Sequence, residues 1–194
     1  SIIITRDGGH TWAKVPCTVL PPALEGEGAF AASNTNVAID GDKAWIATTK
    51  SRIFFTPDKG RSWEVLQTPV VHGKETEGIY SIAFYNAELG FVIGGDYTKA
   101  EVNTGNKAIT RDGGASWELV AEGMDPGYKS CVQFVPNSGG QAIVALGYTG
   151  ISHSSDAGAN WKMLSPESFY TLRFLNDSVA YAAGKNRIAK LIFK

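Results

Sequence analysis

Thr5-Arg6-Asp7-Gly8-Gly9-His10-Thr11-Trp12 is nearly repeated at Thr110-Arg111-Asp112-Gly113-Gly114-Ala115-Ser116-Trp117. Looser copies stand at Thr56-Pro57-Asp58-Lys59-Gly60-Arg61-Ser62-Trp63 and Ser154-Ser155-Asp156-Ala157-Gly158-Ala159-Asn160-Trp161, giving the skeleton S/T-x-D-x-G-x-x-W. The four aspartates lie 51, 54 and 44 residues apart, which is the length of one four-stranded antiparallel unit with its turns. A chain built this way must stack copies of one small sheet, since no single copy buries its own apolar face.

The segments between the boxes agree. Tyr80-Ser81-Ile82-Ala83-Phe84-Tyr85 alternates, Gly90-Phe91-Val92-Ile93-Gly94 follows, Lys107-Ala108-Ile109-Thr110 leads into a box and Trp117-Glu118-Leu119-Val120 leaves it. These read as strands A, B, C and D of one unit. The same pattern places A and B strands at Ala29–Ala32 with Ala44–Ala47, at Cys131–Phe134 with Ala142–Ala145, and at Tyr170–Phe174 with Val179–Ala182. With 43% hydrophobic residues the chain has a core to bury, and its 22 glycines supply many tight turns. No segment sustains a helical period.

Each box reads as a C-to-D hairpin. Its glycines accept positive φ, its Asp accepts hydrogen bonds from turn N–H groups, its hydroxyl satisfies another turn group, and its Trp fills the gap between twisted neighbouring sheets. On these residues the chain resembles the Asp-box, or BNR, repeat of sialidases, sortilin-type receptors and photosystem II assembly factor-like proteins. The resemblance covers essentially the whole chain and implies an all-β fold, a β-propeller of four-stranded antiparallel blades. It makes Asp7, Trp12, Asp58, Trp63, Asp112, Trp117, Asp156 and Trp161 structural, because residues repeated in every blade serve the scaffold. It also implies that the boxes lie on the face opposite the ligand site, and a secreted, periplasmic or cell-surface setting.

The expected division is one propeller domain over 1–194, with part of a blade at 1–16, blades at 27–67, 78–121 and 129–165, and a partial blade at 169–194. A C–D start and an A–B–C end duplicate strand C. The expectation is therefore a partial propeller of about four blades, closed by further blades, by a partner chain or in an unusual way.

Function is sought where the blades differ, in the D-to-A and B-to-C loops. Glu27-Gly28-Ala29-Phe30 aligns with Glu77-Gly78-Ile79-Tyr80, placing two carboxylates on adjacent blades. The other loops contribute Arg52, then Asp96, Tyr97 and Lys99, then Lys129 and Tyr148, with Tyr97 and Tyr148 read as repeat-equivalent. Glu27, Arg52, Glu77, Asp96, Tyr97, Lys99, Lys129 and Tyr148 form the candidate binding surface, its aromatic faces and charges suited to a protein or a sugar ring. Two function classes stay open: a binding or assembly module without catalysis, and a glycoside hydrolase using Glu27 and Glu77 as its carboxylate pair. A sialidase needs three arginines for its substrate carboxylate. Arg6, Arg61 and Arg111 belong to boxes, leaving Arg52, Arg173 and Arg187, and the N-terminal arginine motif of sialidases is absent.

Other chemistry is not indicated. His10, His72 and His153 have no metal-ligand spacing, no nucleophile elbow or phosphate-binding loop appears, and no cofactor is expected. A net charge of −1 with interspersed signs argues against nucleic acid. No apolar run approaches the ~18 residues of a membrane span. Cys17 and Cys131 read as buried free thiols.

Overall fold

The computed structural model describes residues 1–30 and 34–193. All regular structure among them is β, in seventeen strands and five antiparallel sheets. The chain opens on a hairpin, β1 (Ile3–Ile4) with β2 (Ala13–Lys14). The first sheet is β3 (Val37–Asp40), β4 (Lys43–Ala47), β5 (Arg52–Thr56) and β6 (Glu64–Gln67), paired in that order. The second is β7 (Glu77–Phe84), β8 (Gly90–Asp96), β9 (Lys107–Thr110) and β10 (Glu118–Leu119), and the third is β11 (Cys131–Phe134), β12 (Ile143–Gly147), β13 (Gly150–Ser154) and β14 (Lys162–Ser165). Three strands end the chain: β15 (Thr171–Phe174), β16 (Val179–Gly184) and β17 (Arg187–Ile192). The architecture is that of a partial β-propeller.

Every C-to-D hairpin is closed by its box in the same way. The hydroxyls of Thr5, Thr56, Thr110 and Ser154 accept the N–H of Gly9, Gly60, Gly114 and Gly158 at 2.8–2.9 Å. Each hydroxyl donates in turn to the Oδ1 of its Asp at 2.8–2.9 Å. That oxygen also takes the N–H of Thr11, Ser62, Ser116 or Asn160, while Oδ2 takes the same residue's side chain. The second box glycine is obligatory for two reasons. Gly158 has φ of 90°, and a Cβ there meets the Phe91 ring of the preceding sheet; Gly60 and Ile4 of the opening hairpin repeat the relationship.

This packing of a box on the sheet before it builds the core. Trp45, Ile53, Ile79, Ile82 and Val92 fill the space between the first two sheets, and Phe91, Ile93, Val132 and Ile143 that between the second and third. Cys131, Val144, Leu146, Phe169 and Leu172 fill the next. The inner strands β3, β7, β11 and β15 face a common axis. There the Ser81 hydroxyl donates to Thr35 Oγ1 at 2.8 Å and accepts the Val132 N–H at 2.9 Å. Thr171 and Arg173 of β15 donate to Asn34 at 3.1 and 3.4 Å, returning the fourth sheet to the first.

Three local expectations are corrected. The strand pairing with β4 is Val37–Asp40, not Ala29–Ala32, of which Ala31 and Ala32 lie outside the described residues. The reason is an insertion: Gly28 still bonds Thr49, as Gly78 pairs with Gly95, but the first sheet resumes pairing only at Asn36, whose carbonyl takes the Ala47 N–H. Cys17 is exposed, because it sits in the turn after Pro16, while Cys131 is buried; both are free thiols. The box tryptophans are half-buried at 63, 117 and 161, and Trp12 is 59% exposed.

Candidate functional site

The box hairpins bond to the A-to-B turns through Lys59 N–H to Asp42, Gly113 N–H to Glu88 and Ala157 N–H to Gln141, each at 2.8 Å. The D-to-A and B-to-C loops gather at the opposite face. Hydrogen bonds from Thr11, Ser62 and Ser116, respectively, hold the Asp7, Asp58 and Asp112 carboxyls at about 2, and Asn160 likewise lowers Asp156. These carboxylates are spent on their turns.

On the loop face, Glu27 is enclosed. Its carboxylate accepts Arg52 Nε–H at 2.9 Å, a second guanidinium N–H from Arg52, the Leu24 N–H at 2.8 Å and the Thr48 hydroxyl at 2.8 Å. Its side chain is 1% exposed. Burial pushes this carboxyl up, but the Arg52, Leu24 and Thr48 hydrogen bonds outweigh it and hold it below the ordinary carboxylate value. A general acid of a glycosidase needs the reverse, a raised pKa and a free proton to give.

Glu77 makes the same local closure. Its backbone N–H donates to the Lys74 carbonyl at 3.1 Å while its carboxylate accepts the Lys74 N–H at 3.2 Å; Glu27 and Leu24 form the same reciprocal pair. Lys74 Nζ supplies the ion pair at 2.8 Å. Glu77 stands opposite Asp96 across β7 and β8, and Asp96 is held ionised chiefly by the Thr98 hydroxyl at 2.6 Å. Glu77, Asp96, Lys74 and Lys99 line a cavity of about 190 Å³. A wider groove of about 870 Å³ runs between the two loops, walled by Leu24, Glu25, Thr49, Lys50, Lys74 and Glu75.

A third member of this set is absent from the sequence reading. Ser81 pairs with Ile93 and Thr171 with Ala183, so four residues back Glu167 matches Glu77. Glu167 pairs with Arg187 at 2.7 Å. Arg187 bonds across to Gly184 where Arg52 accepts Thr48 N–H, so the Glu–Arg pairs of the first and fourth sheets are repeat-equivalent. The shared signal is Glu-x-apolar-aromatic, at Glu27-Gly28-Ala29-Phe30, Glu77-Gly78-Ile79-Tyr80 and Glu167-Ser168-Phe169-Tyr170. Arg52, Arg173 and Arg187 do not form one cluster: Arg173 bonds the Leu172 and Asn34 carbonyls, and the other two hold their own glutamates.

Aromatic rings do come together. Phe30, Tyr97 and Tyr128 meet Tyr80 edge-on at 4.4, 6.1 and 5.0 Å, and Tyr148 lies 5.6 Å from Tyr128. Counting from the box hydroxyls, Tyr148 is equivalent to Gly95, not Tyr97, because Gly90 pairs with Thr110 and Ile143 with Ser154. The two tyrosines meet all the same, through a Tyr148 hydroxyl bond to the Tyr97 carbonyl at 2.6 Å. Tyr80 and Tyr128 are buried, whereas Tyr97 and Tyr148 are 40% and 45% exposed. Lys129 is 2% exposed and bonded to Thr149 and Gly150.

No family model matches the sequence, and no curated protein is significantly similar to it. Among solved structures the chain is similar to the GH74 enzyme of Niastella koreensis, at 18% identity and a TM-score of 0.60 over 81% of this chain and 28% of that one. It is similar to YCF48 bound to D1 peptide, at 17% identity and 0.54 over 87% of this chain and 60% of that one. The computationally designed Ika4 protein matches at 11% identity and 0.57 over 89% and 96%. The chain thus spans about a quarter of the GH74 enzyme's length and three fifths of YCF48's. These likenesses place the chain among the β-propeller folds.

Proposed function

We propose that this is a binding or assembly module of the Asp-box propeller type, without catalysis, that takes a protein ligand on its loop face. The observation that carries the reading is the engagement of Glu27 and Glu77 in repeated turn closures. Residues that recur for closure serve the scaffold, and Glu27 has no free oxygen to activate water or attack a sugar. The exposed edges of Tyr97 and Tyr148 beside the mixed-charge groove supply aromatic anchors and ion-pair partners, which suits a peptide laid across the face. Likeness to a peptide-bound propeller supports this.

The alternative, a glycoside hydrolase, draws on the likeness to GH74 enzymes, one of them a xyloglucanase from Xanthomonas campestris. Incubation of the purified chain with xyloglucan and with 4-nitrophenyl glycosides separates the two. No sugar release is expected; release that disappears in both Glu27→Gln and Glu77→Gln contradicts the binding reading.

A further inference from the structure

Three sheets close their loop-face corner with an ion pair, Glu27 with Arg52, Glu77 with Lys74 and Glu167 with Arg187. The third sheet lacks both partners. Gly127 stands at the glutamate position, where the Ala100 carbonyl passes too close for any side chain and takes the Tyr128 N–H at 2.9 Å. Gly150 stands at the arginine position, paired with Gly147. The cation arrives instead from Lys129, whose Nζ donates to Thr149 Oγ1 at 2.9 Å and to the Gly150 carbonyl at 3.1 Å.

An ammonium has three donors, so one of Lys129's is unused. Among the described residues no carboxylate lies within 4.0 Å of it. The contrast is Lys107, equally buried, whose Nζ reaches Asn103, Asn106, Met124 and Pro126 and has no donor to spare. Lys129 instead lines a cavity of about 370 Å³. Ala100, Pro126 and Met163 give it apolar walls, and the exposed Asp125 and Glu101 supply carboxylates. A buried ammonium without a counterion is costly, and a carboxylate delivered to it gains a charge-assisted hydrogen bond. Two exposed acids disfavour a simple anion and favour a ligand that also carries a positive charge.

We propose that this cavity binds a small zwitterionic amino acid, its carboxylate on Lys129 in place of the missing glutamate and its ammonium toward Asp125 and Glu101. The site does not use the tyrosine platform, so it stands or falls separately from the protein-binding reading. Burial lowers the Lys129 ammonium to about 8, with Asp125 opposing. Asp125 and Glu101 are the charged groups that share its cavity, Thr149 and Ser152 being neutral. A bound carboxylate restores the counterion and therefore draws a proton onto Lys129 near pH 8.

Calorimetric titration with 4-aminobutyrate, butyrate and butylamine at pH 8, in two buffers of different ionisation enthalpy, tests this. Expected are binding of 4-aminobutyrate with proton uptake, at least about tenfold weaker binding of butyrate, weaker binding still of butylamine, and loss of 4-aminobutyrate binding in Lys129→Met. Should that variant fail to fold, the lysine side-chain resonance near pH 8 that remains in Lys107→Met, and so belongs to Lys129, serves instead, and must move to higher pH with 4-aminobutyrate. Absence of 4-aminobutyrate binding, butylamine or butyrate binding as tight as 4-aminobutyrate, full binding by folded Lys129→Met, or an unmoved resonance overturns the proposal.

Discussion

Arg187 holds Glu167 at 2.7 Å in the fourth sheet at the positions where Arg52 holds Glu27 in the first. The two pairs differ in burial: the Glu27 side chain is 1% exposed and that of Glu167 is 56% exposed. Arg52 also grips both oxygens of Glu27 where Arg187 reaches one of Glu167, and the two pairs therefore differ in energy. Glu167→Gln is expected to cost no more than about 1 kcal/mol, as exposed pairs do, and Glu27→Gln more, because it strands a largely buried guanidinium. Chemical denaturation of the two variants checks the order.

The box carboxylates predict an acid transition. Asp7, Asp58 and Asp112 titrate at about 2 in the folded chain against an ordinary 3.8, so the folded state binds protons less readily than the unfolded one. Their stabilisation is complete above 3.8 and is lost as pH falls from there toward 2. Thermal midpoints measured between pH 5 and 2 should fall, and fall less steeply in a Asp58→Asn, Asp112→Asn double variant. Equal slopes would mean that these turns do not depend on ionised aspartate.

Buried lysines predict a second window with the opposite cause. Burial brings Lys107 and Lys129 to about 8 from an ordinary 10.5, so between those values the unfolded chain holds more protons. The cost of burying the charged forms is present below 8 and is relieved as pH rises toward 10.5. Stability should therefore rise through that window in the wild type and rise less in Lys107→Met. The substitution should also loosen the 121–127 loop, since Met124 and Pro126 lose their donor; amide exchange at 121–127 reports it.

Gly158→Ala tests how one sheet packs on the next. The new methyl meets Phe91 at a φ of 90°, so backbone strain and overpacking add, and a loss of about 2–4 kcal/mol is expected. Gly8→Ala has the positive φ without the neighbour, and should cost only about 1 kcal/mol.

The box was legible in the sequence because its chemistry is local: hydroxyl, Asp, Gly and Trp all serve one turn within eight residues. The strand order followed from the period alone. What escaped depends on contacts between distant segments. The first inner strand moved to Val37 because pairing that holds at Gly28 resumes only at Asn36, and no alternation marks such an insertion. Glu167 was missed because Ser168 replaces the glycine that drew attention to Glu27 and Glu77. The isolation of Lys129 follows from the Ala100 carbonyl crossing Gly127, a contact between neighbouring blades that neither local pattern announces.

The central claim is that the loop-face glutamates close the scaffold and do no chemistry, and a double-mutant cycle on Glu27 and Arg52 tests it most directly. Urea unfolding of Glu27→Gln, Arg52→Gln and the double variant should show each single change destabilising by about 2–4 kcal/mol, with the double costing less than their sum by at least about 1 kcal/mol. A catalytic carboxylate is held against the interests of stability, and its removal is neutral or stabilising. A Glu27→Gln variant as stable as the wild type, with no coupling to Arg52, would contradict the account.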